Sequence, residues 1–183
     1  VTPLSIFHVV SGAGCLVLGA FVLFNVKGTR LHRIVGTAYV LAMLVLNVTA
    51  LCIYNLTGHF NLFHLFAILS LAMVLIGWAQ VLYRRRFQRW FYRHYTYMSW
   101  SYAGLLAATS NEAFVRVPFL KAIVQTRGNW VILAAQVVIL GLCAILLSRN
   151  KVQLLEKYGF FTNSQTQLAQ APEGGAVRSD EHS

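Results

Sequence analysis

The chain has 183 residues, 57% of them hydrophobic and 11% charged, with a formal net charge of +10. So little charge cannot coat a water-soluble domain of this size, and the expected solvent is a lipid bilayer. The basic excess falls in short segments between apolar runs, which is a topology signal and an attraction to anionic headgroups, and excludes nucleic acid as a partner.

Residues 1–26, 34–83, 94–111 and 128–148 contain no Lys, Arg, Asp or Glu. A helix needs about 20 such residues to cross the hydrocarbon core. The run 34–83 is long enough for two, and NLTGHFN at 55–61 supplies the turn between them. Five spans are therefore predicted, over Pro3–Val26, Arg33–Tyr54, Leu62–Tyr83, His94–Asn111 and Asn129–Leu147. The fourth, HYTYMSWSYAGLLAATSN, is the most polar and is expected to face its neighbours. Between spans four and five, 112–128 mixes apolar and basic residues and contains Pro118. That composition suits a segment lying along the interface.

The fold class expected is all-α, a polytopic transmembrane bundle of five spans with a four-helix core. It occupies residues 1–148, followed at 149–183 by a polar tail expected to be disordered and cytoplasmic. Twelve of the fifteen basic residues follow spans one, three and five, and only Arg116, Lys121 and Arg127 lie on the other side. The positive-inside rule then puts the N-terminus outside and the C-terminus in the cytoplasm of a cell membrane.

The acids are five in number, Glu112, Glu156, Glu173, Asp180 and Glu181, and none falls inside a predicted span. This argues against proton or cation carriers built on intramembrane carboxylates, and against a Ser-His-Asp hydrolase. Cys15, Cys52 and Cys143 lie in spans without metal-ligand spacing and read as apolar filler.

Histidine remains. His8, His32, His64 and His94 fall one in each of the first four spans. His8 lies eighteen residues above Val26 and His64 nineteen above Tyr83, roughly 27 and 28 Å from the cytoplasmic end. His32 and His94 begin the helices that run back from that end, each beside an arginine, Arg33 and Arg93. Alternate helices of a four-helix ring stand diagonally opposite, so the spacing predicts an outer pair, His8 with His64, and an inner pair, His32 with His94.

A b-type haem takes two imidazoles on opposite faces of its iron in such a low-dielectric slot. Gly12 and Gly36 lie four residues beyond His8 and His32, on the same helix faces, where a flat ligand or a packed helix needs clearance. Arg30, Arg33, Arg89 or Arg93 would suit haem propionates, and Ser11, Thr29, Ser70, Tyr97 or Ser101 could accept from the ligands' second nitrogens. Other readings stand beside this one. The histidines and glycines also suit interfacial or packing roles. Copper or zinc would be less typical of diagonal His pairs without Cys or carboxylate.

The chain resembles the bacterial multi-pass membrane family filed as domain of unknown function 2306, through His8 with Gly12, KGTRLHRIVGTAY at 27–39, FHLFAI at 63–68 and RHYTYMSWSYAGLLAATSN at 93–111. That resemblance implies a polytopic membrane protein and no settled activity. The alternating histidines also look, in pattern only, like the ascorbate-reducible dihaem cytochrome b family, which passes electrons between two bis-histidine haems. The leading expectation is thus a transmembrane electron-transfer subunit with haem b, in contact with lipid and a redox partner or larger membrane complex. The alternatives are a non-catalytic scaffold or assembly subunit without a cofactor, and a small-solute carrier with a polar path along Tyr95, Thr96, Ser99 and Ser101.

Overall fold

A computed structural model describes residues 2–53, 62–86 and 89–157. The expected turn at 55–61 and the tail from 158 onward, His182 included, lie outside the described residues. Those described form six helices: α1 (Pro3–Phe24), α2 (Arg30–Cys52), α3 (Leu62–Leu82), α4 (Trp90–Arg116), α5 (Pro118–Arg127) and α6 (Trp130–Lys157). Val1–Leu147 form one compact unit and Ser148–Ser183 a second. Helix α6 runs ten residues past the expected end at Leu147.

Four helices have both the length and the apolar composition to cross a membrane: α1, α2, the His64–Leu82 stretch of α3, and Trp130–Asn150 of α6. Helix α4 falls short in hydropathy, not in length. Its 27 residues reach about 40 Å, and its polar side chains point inward, with Ser99 and Ser101 buried.

Polarity is inverted relative to a soluble bundle. Exposed positions are apolar, among them Phe7, Val10 and Val17 of α1, Leu41 and Val48 of α2, and Leu65, Phe66 and Leu69 of α3, while Asn47, Thr49, His64, Gln80, Ser99 and Ser101 are buried. An unbroken apolar exterior of this kind needs lipid around it.

The first four helices close a ring: α1 packs on α2, α2 on α3, α3 on α4, and α4 returns to α1. Helices α1 and α3 are therefore diagonal partners, as are α2 and α4. The last turns of α1 and α3 and the first turns of α2 and α4 share one end of this ring, the inner end. The midsection is filled by Cys15, Tyr39, Val40, Met43, Val74 and Leu105. The helices meet most closely at two glycines. A Cβ on Gly19 of α1 would lie 2.4 Å from Tyr102 Cδ2 of α4 and 2.8 Å from Tyr39 Cε2 of α2. A Cβ on Gly77 of α3 would lie 2.9 Å from Met98 Sδ. Glycine lets backbones approach this closely where lipid offers no hydrophobic drive for association. Two hydrogen bonds cross the same region: Tyr39 Oη with Ser101 Oγ at 3.1 Å and Tyr102 Oη to the Leu16 carbonyl at 3.2 Å.

Helix α4 continues past the expected Asn111 to Arg116, where Glu112 and Arg116 pair one turn apart. It stops because Pro118 follows: proline cannot donate to the helix and holds the residue before it extended, as Val117 is at φ −77° and ψ 119°. The same proline opens α5. Helix α6 is fastened to α4 through Gln136, whose Nε2 donates to Asn111 Oδ1 at 2.8 Å and reaches the Ala107 carbonyl at 3.2 Å.

Candidate functional site

The inner end is set by the turn Asn25–Thr29. Asn25 ends α1, and its Oδ1 accepts from the Val26 amide at 2.7 Å. Lys27 Nζ donates to the Val22 and Leu23 carbonyls at 2.7 and 2.5 Å, covering acceptors that the helix end leaves open. Gly28 takes φ +81°, a left-handed conformation that favours glycine. Thr29 caps α2, its Oγ1 accepting from the His32 amide at 3.0 Å. That cap fixes His32 in the first turn of α2, and Thr29 is thereby committed to the backbone, not to an imidazole.

Across the ring, His94 lies on α4, and its Nδ1 is 2.8 Å from the Gly77 carbonyl of α3. A carbonyl only accepts, so Nδ1 carries the proton and Nε2 keeps the lone pair. His32 and His94 lie within electrostatic reach of each other, and Lys27 is within reach of both. His32 and His94 stand at one end of the α2–α4 diagonal, each seven residues before Tyr39 and Ser101, whose hydroxyls meet. Gly36, one turn beyond His32, has open space where a side chain would stand. Arg30, Arg33, Arg89 and Arg93 are exposed around this end.

Lys27, which from the sequence reads only as a topology signal, lies within electrostatic reach of both imidazoles. Burial pushes its ammonium down from 10.5 to about 8. The signal that could have found it was the turn itself: a lysine three residues beyond the end of α1 reaches back to cap it.

The outer histidines are arranged differently. His8 Nδ1 is 2.9 Å from Thr49 Oγ1 of α2, and the Thr49 hydroxyl donates to the Val45 or Leu46 carbonyl at 2.9 Å. With its one proton so used, Thr49 accepts from His8, and His8 too keeps its lone pair on Nε2. His8 is turned toward α2 and also lies within electrostatic reach of Glu112 and Arg116 of α4. His64 is 2% exposed on α3. A Cβ on Gly12 would meet Leu46 Cδ1 at 3.5 Å, an ordinary packing contact.

The partners of the second ring nitrogens are thus Thr49 and a backbone carbonyl. Ser101, one of the groups expected in that role, is instead engaged by Tyr39 and the Met98 carbonyl. Among the described residues no three His, Cys, Asp or Glu side chains converge to hold a metal ion. Chemically, the inner cluster offers two imidazole nitrogens and an ammonium.

No curated protein and no solved structure matches this chain. A family model described as "Predicted membrane protein (DUF2306)" matches residues 5–148, which hold all six helices up to the last turns of α6. An all-helical, multi-pass protein with a lipid-facing apolar exterior, matched over that length, belongs to the DUF2306 family of membrane proteins.

Proposed function

We propose that the protein is a transmembrane electron-transfer subunit whose inner end would hold b-type haem through His32 and His94. The observation that carries this reading is the pairing of two imidazoles from diagonal helices, within reach of each other, one with its tautomer already fixed by Gly77. A haem asks only two ligands of the protein, whereas a bare zinc or copper ion asks three or four. The open space at Gly36 lies one turn from His32, where a flat macrocycle would need it.

Haem supplies a one-electron carrier. The chain's own groups hold and tune it: Gly77 orients the His94 ring, Thr29 fixes the start of α2 at His32, and the packed midsection excludes water. Lys27 and the rim arginines Arg30, Arg33 and Arg93 offer positive charge to the propionates. His8 and His64 are proposed for a second, outer haem, with Arg116 as the nearest cation to His8. The segregation of basic residues supports a cytoplasmic inner end, the N-terminus outside, and exchange of electrons there with a redox partner or a larger membrane complex.

The test is a dithionite-reduced minus air-oxidised spectrum of the purified protein from cells given ample haem. Sharp b-type bands near stoichiometric yield are expected, and His32→Ala should remove the inner haem while leaving the outer one's bands. A featureless wild-type spectrum would overturn the reading.

A scaffold without cofactor is favoured by one observation: the His8–Thr49 and His94–Gly77 bonds already join neighbouring helices on their own. That reading expects each histidine to be replaceable by glutamine with the fold retained.

A further inference from the structure

Among the described residues, two buried polar atoms at the inner end have no hydrogen-bond partner: Nδ1 of His32 on α2 and Oε1 of Gln80 on α3. Gln80 is 5% exposed, inside a helix that otherwise presents an apolar surface to lipid. A buried amide oxygen without a donor is costly, and more so where the surroundings are hydrocarbon.

The register of α3 against α4 gives Gln80 its level. Gly77 meets Tyr97 and Met98 of α4. Three residues farther along α3, toward the inner end, Gln80 stands about 4.5 Å deeper. Helix α4 runs the other way, so the residue level with Gln80 is about three before Tyr97, which is His94. His32 takes the same level: Tyr39 Oη of α2 meets Ser101 Oγ of α4, seven residues back along these two helices lie His32 and His94, and α3 packs on both α2 and α4. An orphan acceptor on α3 and an orphan ring nitrogen on α2 therefore share one level at the inner end.

We propose that Gln80 is the positioning residue for His32, its Oε1 accepting the Nδ1 proton when His32 binds iron through Nε2. The inference rests on the haem reading above. It gives the two axial ligands matching partners from one helix: the Gly77 carbonyl for His94 and, one turn on, the Gln80 amide for His32. Such a partner fixes the tautomer and ring orientation and raises the basicity of the ligating nitrogen. Its loss in other metal sites weakens affinity about 10–100-fold.

The experiment uses the full chain in detergent, with haem content, reduction potential and low-spin electron paramagnetic resonance read on wild type, Gln80→Leu and Gln80→Glu. Gln80→Leu is expected to loosen the inner haem by about tenfold or more and raise its potential. Gln80→Glu, of the same shape with a stronger acceptor, should retain the haem and lower its potential, leaving the outer haem unmoved. A purely structural glutamine would give no such opposite shifts. Should Gln80→Leu fail to fold, the fall in potential in Gln80→Glu decides the matter alone. A wild type that holds haem, with both potentials unmoved or moved the same way, overturns the role of Gln80 and leaves the haem reading standing. A wild type without haem overturns both.

Discussion

Gly19→Ala adds a single methyl group at the most crowded point of the ring. The new Cβ would stand 2.4 and 2.6 Å from two atoms of the Tyr102 ring and 2.8 Å from Tyr39. Carbon atoms settle at about 3.5–4.0 Å, so the Tyr102 ring must retreat by about 1 Å. Tyr39 is 2% exposed and has nowhere to go. The bonds of these tyrosines to Ser101 and to the Leu16 carbonyl are already 3.1 and 3.2 Å long, and such a retreat breaks at least one. Overpacking costs about 1–3 kcal/mol and a lost hydrogen bond about 1 kcal/mol. Alanine returns up to about 1 kcal/mol over glycine in a helix. A net loss of about 1–3 kcal/mol follows, or a melting temperature roughly 2–12 °C lower for a chain of this size. The control is Gly14→Ala in the same helix, where a Cβ meets nothing within 4 Å and the helix preference acts alone. The assay is thermal unfolding in detergent, followed by far-ultraviolet circular dichroism. In Gly19→Ala/Tyr102→Ala the methyl enters vacated space, so the two costs should add to less than their sum by about 1–3 kcal/mol. Equal melting temperatures for the two glycine variants would refute the close approach of α1, α2 and α4.

Other consequences follow from single contacts. Ser101→Ala should cost more than Tyr39→Phe, about 1–3 against about 1 kcal/mol, because it leaves the buried Tyr39 hydroxyl without its partner, while Ser101 still has the Met98 carbonyl when Tyr39 is changed; the reverse order in thermal unfolding would refute this. Lys27, held at about 8 against an ordinary 10.5, sheds its proton in the folded protein before it does so in the unfolded chain. The unfolded chain then binds more protons over that window, so stability should rise from pH 8 to 10.5 in wild type, with this component missing in Lys27→Met; parallel pH profiles for the two would count against a half-buried amine. Gln136→Ala should free the outer part of α6 at a cost of about 0.6–1.7 kcal/mol, seen as faster proteolysis at the 112–130 segment with the α1–α4 ring still folded.

Much of the architecture was legible because spanning helices announce themselves locally: runs without charge mark α1, α2, α3 and α6, and the diagonal relation of α2 to α4 follows from short connections. That His32 and His94 lie at one end of the ring was legible for the same reason, since height in a span is a matter of counting. Rotation about the helix axis was not. Helix α3 is apolar nearly all round, so no periodicity says which side faces α4, and the acceptor for His94 is a backbone carbonyl, which every residue has. Gly12 and Gly36 follow their histidines at identical spacing, yet one packs on Leu46 and the other borders open space. The extra turn of α4 was hidden because Glu112 and Arg116 look like a loop to a hydropathy scan, although their spacing is that of a helical ion pair.

The turn at Asn25–Thr29 bears on how the protein is made. Its C-cap, its lysine bonds, its left-handed glycine and its N-cap all draw on atoms from α1, α2 and the turn between them. These bonds draw on no atom of α3. The first two helices can therefore leave the translocon as a finished hairpin, with the ends of both already satisfied. That hairpin presents His8 already bonded to Thr49 and His32 already in place when α3 and α4 arrive. Assembly of the inner cluster is then the docking of this hairpin on the one that α3 and α4 form, within which His94 meets Gly77.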